Sequence, residues 1–258
     1  MIELPAEFHV TLNEIHRALR HVDGWLSDRE IDFLALLAAC PTSSGTILEF
    51  GALHGRSTIV LARAAELASC QQVVTVDPLA DSILSRNLEQ AGVRKNVDVR
   101  RAYSWEVIPQ WERPIRLFWH DGANKYDVVT DDVRGIMPHL QDSAIVAFHD
   151  VLNPSGQRLS VFIEQVLDSP SFSAVGICGS IGWGQFCVDS SATNTQTESR
   201  QSLRRRLLRL EKYHGGDHSA PRGMARLRYK LLRSRVPHGP VDTRQWLEQV
   251  SVCASLRN

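Results

Sequence analysis

Apolar residues in this chain follow two alternating rhythms. Short continuous runs predict strands at 47–50, 72–77, 97–101, 115–120 and 143–149. Between and after them, apolar residues recur every three or four positions, predicting helices at 57–69, 81–91, 104–110, 127–138 and 155–167. Apolar strands alternating with helices imply a mostly parallel sheet covered on both faces. Two further strands, 172–178 and 184–189, are joined by Gly179-Ser180-Ile181-Gly182-Trp183, which permits only an antiparallel pair. Ahead of the first strand, Leu12, Ile15, Leu19 and Val22 mark a helix over 11–22. Ser27-Asp28-Arg29-Glu30 is a capping box that opens a helix carrying Ile31, Leu34, Leu37 and Ala38, ending near Cys40-Pro41.

Past the hairpin the rhythm stops. Residues 190–199 are rich in Ser, Thr, Asn and Gln and read as a linker. Helices are predicted at 200–213 and 223–234, split by Gly215-Gly216 and Pro221, and at 242–255, with Trp246, Leu247, Val250 and Cys253. The expected organisation is an N-terminal helical cap over 1–46, an α/β domain over 47–190, and a linker with a helical extension over 191–258.

Charge separates this extension from the rest. Net charge is zero, yet residues 199–235 hold 12 basic and 2 acidic residues, +10, leaving 17 basic and 27 acidic elsewhere, −10. The default reading is an amphipathic helical pair packed through Leu203, Leu207, Leu210, Leu227 and Leu231. A second is a peripheral contact with an anionic membrane. The segment offers little to nucleic acid as a partner, because Tyr213 and Tyr229 are its only aromatics and it carries no RNA-binding motif. A contact with the acidic body, within the chain or in a homo-oligomer, fits the same asymmetry.

No apolar run reaches the ~18 residues that span a bilayer. Met1–Val10 has no basic stretch leading an apolar core. Cys40, Cys70, Cys178, Cys187 and Cys253 are scattered and odd in number, as buried thiols in a reducing compartment would be. The expected localisation is cytoplasmic.

The chemistry concentrates at strand ends. Strand 47–50 runs into Gly51-Ala52-Leu53-His54-Gly55-Arg56-Ser57-Thr58, a tight turn and a helix start. Gly51 and Gly55 leave the backbone free of side-chain bulk, so a ligand can lie against it; an ordinary strand-to-helix turn would use glycine too. The next strand ends in Asp77. A glycine turn followed by a strand-end acid is the layout that holds a nucleoside in doubly wound folds.

Four segments together, Gly24-Trp25-Leu26-Ser27, Leu48 to Thr58, Trp119-His120-Asp121-Gly122-Ala123-Asn124-Lys125-Tyr126 and Ala147-Phe148-His149-Asp150-Val151, resemble the class I S-adenosylmethionine-dependent methyltransferases. The closest resemblance is to the small-molecule and sugar O-methyltransferases of the macrocin and cephalosporin-hydroxylase-associated group, over roughly residues 20–190. It implies a Rossmann-like, seven-stranded sheet with one antiparallel strand and S-adenosylmethionine as cofactor. Glu49 would orient the cofactor's amino group, the Gly51, Gly55 and Ser57 turn would lie along its methionine part, and Asp77 would accept both ribose hydroxyls. Tyr103, Ser104 or Trp105 would meet the adenine, where the family often has an acid.

Asp121 and Asp150 end neighbouring strands, so their carboxylates converge on the ligand-binding rim. The resembled enzymes hold magnesium there, and His149 stands where some have a further acid. Asp121, Asp150 and His149 are therefore the expected metal set, with Mg2+ activating the acceptor hydroxyl. Many relatives read Asp-Gly-Asp-His, where this chain has Asp121-Gly122-Ala123-Asn124. Their histidine is absent, so His149, His120 or Lys125 become the candidate bases, and Asp121 joins both the cofactor and catalytic sets. The expected function is O-methylation of a small-molecule or glycan acceptor. The alternatives are a catalytically silent binding protein acting through its basic helices, and a nucleic-acid methyltransferase.

Overall fold

The structure, a computed structural model, describes residues 2–68, 72–188, 197–215 and 220–255. Seven strands form one sheet: β1 (Thr46–Phe50), β2 (Val73–Val76), β3 (Val97–Arg100), β4 (Ile115–His120), β5 (Leu140–Phe148), β6 (Phe172–Cys178) and β7 (Ile181–Phe186). Their order is β3-β2-β1-β4-β5-β7-β6. The first five are parallel, and β7 runs antiparallel to both β5 and β6. Strands β1, β2 and β4 are buried along their whole length, which explains their unbroken apolar runs. This is the expected Rossmann-like sheet, with its order reversing between β1 and β4.

The hairpin differs from expectation at its tip. Only Gly179 and Ser180 turn the chain, and Ile181, Gly182 and Trp183 belong to β7. Gly182 and Gly184 are strand glycines set by packing. A Cβ at Gly182 would stand 3.0 Å from Phe162 and Val151, and one at Gly184 would stand 2.4 Å from Val166. Trp183 is buried beside Phe33 and Trp246, so the tip segment lies in the core and does not line the cavity described below.

Helices cover both faces. α1 (Phe8–Ala18), α2 (Asp28–Ala39), α3 (Arg56–Ala65) and α4 (Ser82–Gln90) contribute to one apolar cluster. α5 (Ser104–Val107), α6 (Tyr126–Ile136) and α7 (Arg158–Val161), which continues as a π-helical stretch over Phe162–Leu167, contribute to the other. The Ser27–Glu30 capping box forms at the start of α2.

The C-terminal helices wrap the sheet. α8 (Glu198–Glu211) buries Leu203, Leu207 and Leu210 as its spacing predicts, against the face that carries α7. α9 (Gly223–Arg233) follows on the same side, but Leu227 and Leu231 are exposed, and Tyr229 makes the contact instead. α10 (Thr243–Ser255) crosses to the other face, where Trp246 and Val250 are buried. Most of the predicted linker, together with Cys70 and the side chain of Cys253, lies outside the described residues; Cys40 and Cys178 are buried thiols. No helix among the described residues is long and apolar enough to cross a membrane.

Candidate active site

A cavity of about 440 Å³ opens where the strand order reverses, at the carboxyl ends of β1, β2 and β4. The turn after β1 forms one wall. Gly51 and Gly55 both adopt φ +90, in the left-handed region that favours glycine. Their missing side chains accommodate the protein itself. A Cβ on Gly51 would lie 2.5 Å from the Gly122 nitrogen, because Asp121 N donates to Phe50 O at 2.8 Å and draws the two turns together. A Cβ on Gly55 would lie 2.8 Å from Leu84 of α4.

The two strand-end acids act on this turn in different ways. Asp77 lines the cavity; its Oδ2 accepts from the amides of Ala52 and Leu53 at 2.9 and 2.8 Å, and its Oδ1 from Leu79 at 2.7 Å. Three of its roughly four acceptor positions are therefore occupied. The expected bidentate acceptance of both ribose hydroxyls is reduced to one remaining position on Oδ1, and the carboxylate's larger task is to brace the turn.

Glu49 is fully buried and does not line the cavity. Ser57 Oγ donates to its Oε1 at 2.5 Å and Thr58 Oγ1 to its Oε2 at 2.6 Å, tying β1 to the first turn of α3. It braces the turn from behind and does not reach the cavity where it was expected to meet the cofactor's amino group. Burial pushes its carboxyl up to about 7, against the lowering pull of the Ser57, Thr58 and Thr75 hydroxyls. The folded state thus holds this proton more tightly than the unfolded state. The resulting stabilisation is complete below pH 4.5 and is lost as pH rises to 7. Denaturant titrations of wild type against Glu49→Gln are expected to show the wild type losing about 3 kcal/mol relative to the variant across that interval. A pH-independent difference would show that Glu49 is not buried in this way.

The opposite wall is aromatic. Tyr103 and Trp105 stack at 4.1 Å with their planes 11° apart, and Ser104 lies between them at the start of α5, all three lining the cavity. Exposed Trp25 and Leu79 complete the mouth. An adenine-sized ring finds π-faces and a hydroxyl here where the resembled enzymes use an acid.

Beyond Ser57 and Gly51 the cavity reaches Asp121, at the end of β4. His149, at the end of β5, is almost wholly buried and lies outside the cavity lining. Its Nδ1 sits 3.1 Å from Asp121 Oδ1 and 4.0 Å from Asp150 Oδ2, and its Nε2 sits 3.7 Å from Glu30 Oε2. Burial alone would lower its pKa, but the Asp121 and Glu30 carboxylates lift it to about 10. A protonated imidazole is neither a base nor a metal ligand. Against the effect of burial, hydrogen bonds from His149, Ser27 and Ser180 hold Glu30 well below the usual carboxylate range.

A second cation completes the rim. Arg158, buried at the start of α7, donates to Gly122 O at 2.7 Å and Ala123 O at 3.1 Å. Its Nη1 stands 3.7 Å from Asp121 Oδ1 and 4.0 Å from Asp150 Oδ2. The space where the two aspartates would share a divalent ion is held by a guanidinium. Asp150 itself, at φ +58, is occupied by Asn153 at 3.1 Å and Ser180 at 3.5 Å, away from the cavity. No group of three His, Cys, Asp or Glu residues among the described residues could hold a metal. The expected Asp121, Asp150 and His149 set therefore does not fit magnesium.

The other candidate bases are displaced as well. His120 is fully buried, 3.0 Å from Asp132 and ringed by Phe50, Phe118 and Phe148; burial pushes its pKa down. Lys125 is exposed at the N-cap of α6, outside the cavity lining. Sequence reasoning missed Arg158 and the reach of Glu30 into the rim. Glu30 announced itself only as a capping residue, and no local pattern marks Arg158.

Comparison with known proteins agrees with this architecture. Residues 48–151 match the methyltransferase domain family Methyltransf_24. A catechol O-methyltransferase from Niastella koreensis is 29% identical over 107 residues, which are 42% of this chain and 45% of that protein. The matched part is thus less than half of that relative's length. Among solved structures, the O-methyltransferase TomG from Streptomyces achromogenes, involved in tomaymycin synthesis and in complex with SAM, superposes with a TM-score of 0.52 at 20% identity. That match covers 72% of this chain and 92% of TomG. An SAH-bound methyltransferase from Podospora anserina gives 0.52 at 16% identity, covering 70% and 88%. Residues 48–151 thus resemble a methyltransferase domain, and the Rossmann-like fold around them is the one these solved methyltransferases share.

Proposed function

We propose that this chain transfers the methyl group of S-adenosylmethionine to a hydroxyl of a small, hydroxylated or sugar-containing acceptor, without a divalent metal. One observation carries the reading: a single cavity joins the braced Gly51 turn and Asp77 to the Tyr103–Trp105 stack and ends at Asp121. The turn would hold the methionine part, Asp77 Oδ1 one ribose hydroxyl, and the stacked rings the adenine. The methyl carbon leaves sulfur as the acceptor oxygen attacks in line, so the protein's task is placement and removal of one proton. Asp121 is suited to receive that proton. Its Oδ1 is fixed by His149 and Arg158, and its Oδ2 carries no hydrogen bond among the described residues. The similarity to TomG and to the Niastella catechol O-methyltransferase supports a hydroxyl acceptor.

Calorimetry with S-adenosylmethionine and its demethylated product is expected to show binding that neither magnesium nor chelator alters. No binding at millimolar cofactor would sink the methyltransferase reading. A Mn2+ titration followed by electron paramagnetic resonance is expected to show no saturable site. Sub-millimolar binding lost in Asp121→Asn would restore the metal.

A further inference from the structure

Helix α9 has two opposite faces. On the inner one, Tyr229 Oη donates to Leu152 O at 2.5 Å and lies 3.3 Å from His214 Nε2, while His214 Nδ1 sits 3.2 Å from Gly156 O. These contacts fix α9 on the loop that follows β5, beside the rim of the site. On the outer face, Met224, Leu227 and Leu231 are 67%, 63% and 58% exposed, and their spacing places them in one stripe. Arg228 borders the stripe on one side and Lys230 on the other, both exposed, and exposed Arg235 follows the end of the helix. α8 adds exposed Arg205 and Arg209. Among the described residues of both helices, the one ion pair to an acid outside them is Arg204 to Asp168.

Cations alone would suit any acidic partner, and an apolar stripe alone any hydrophobic one. A row of large apolar side chains flanked by cations matches a boundary where anionic headgroups meet acyl chains. We propose that the outer face of α9, with the cations of α8, is a peripheral contact for an anionic lipid membrane. The stripe would enter the acyl boundary while the arginines stand at the phosphate layer. Three apolar side chains bind a bilayer weakly, and each cation near an anionic surface adds roughly fivefold, so both parts are needed.

Co-sedimentation of the full chain with vesicles tests this. Binding is expected to phosphatidylcholine–phosphatidylglycerol vesicles and not to phosphatidylcholine alone. It should weaken at least ~10-fold in a Leu227→Ser/Leu231→Ser variant and again with added salt. Both leucines are exposed, so circular dichroism and cofactor calorimetry should be unchanged, which separates this test from that of the active site. An Arg228→Gln/Arg235→Gln variant gives a second arm and should also weaken binding. Absence of binding to the mixed vesicles at low salt would overturn the proposal, as would binding indifferent to the serine variant. A dimer in sedimentation velocity that the serine variant dissociates would give the face to a second copy, and tighter retention on single-stranded RNA would give it to nucleic acid.

Discussion

Gly51→Ala is expected to lose roughly 3–5 kcal/mol of stability and to weaken cofactor binding by ~100-fold or more. Two effects combine. A non-glycine residue at φ +90 is strained, and the added Cβ would stand 2.5 Å from the Gly122 nitrogen and 2.6 Å from Asp121 O. Those atoms are backbone and cannot swing aside. The clash would part the β1 and β4 turns, break the 2.8 Å bond from Asp121 N to Phe50 O, and move both walls of the cavity. Chemical denaturation and cofactor calorimetry measure the two losses. A variant within about 1 kcal/mol of wild type would show that the turns are not so closely joined.

Arg200→Met is expected to cost about 3–5 kcal/mol, the scale of leaving several buried carbonyls without their cation. The buried guanidinium donates to Leu167 O at 2.8 Å, Val166 O at 3.0 Å, Ser169 O at 2.9 Å and Phe172 O at 2.5 Å. It thereby caps the end of the Phe162–Leu167 stretch and fastens α8 to the sheet. The exposed Arg205→Met is the control and should stay within about 0.5 kcal/mol of wild type. Equal effects of the two substitutions on the thermal midpoint would refute the clamp.

Arg200 also shows where sequence reading stops. It stands among eleven other basic residues in 199–235, and nothing in its neighbourhood separates the one that is an internal clamp. Its partners lie 28 to 34 positions away, a distance over which periodicity carries no information. The strands were legible for the opposite reason: burial on both faces forces continuous apolar runs, so β4 appears at its full extent, Ile115–His120. Strand β7 misled because Gly182 and Gly184 look like turn residues, whereas they make room for Phe162 and Val166. The ends of β1, β2 and β4 do border the cavity, whereas the end of β5 lies behind it. What each acid does there depended on side chains from elsewhere, Ser57 and Thr58 for Glu49, Arg158 for Asp121 and Asp150.

The brace between Asp77 and the amides of Ala52 and Leu53 has a consequence for timing. A loop that takes shape only around its ligand loses its conformational entropy at the moment of binding, and affinity falls accordingly. Here that ordering belongs to folding, because a carboxylate of the protein already holds the amides in place. Cofactor capture should then be a simple one-step encounter, its association rate linear in cofactor concentration with no saturating isomerisation.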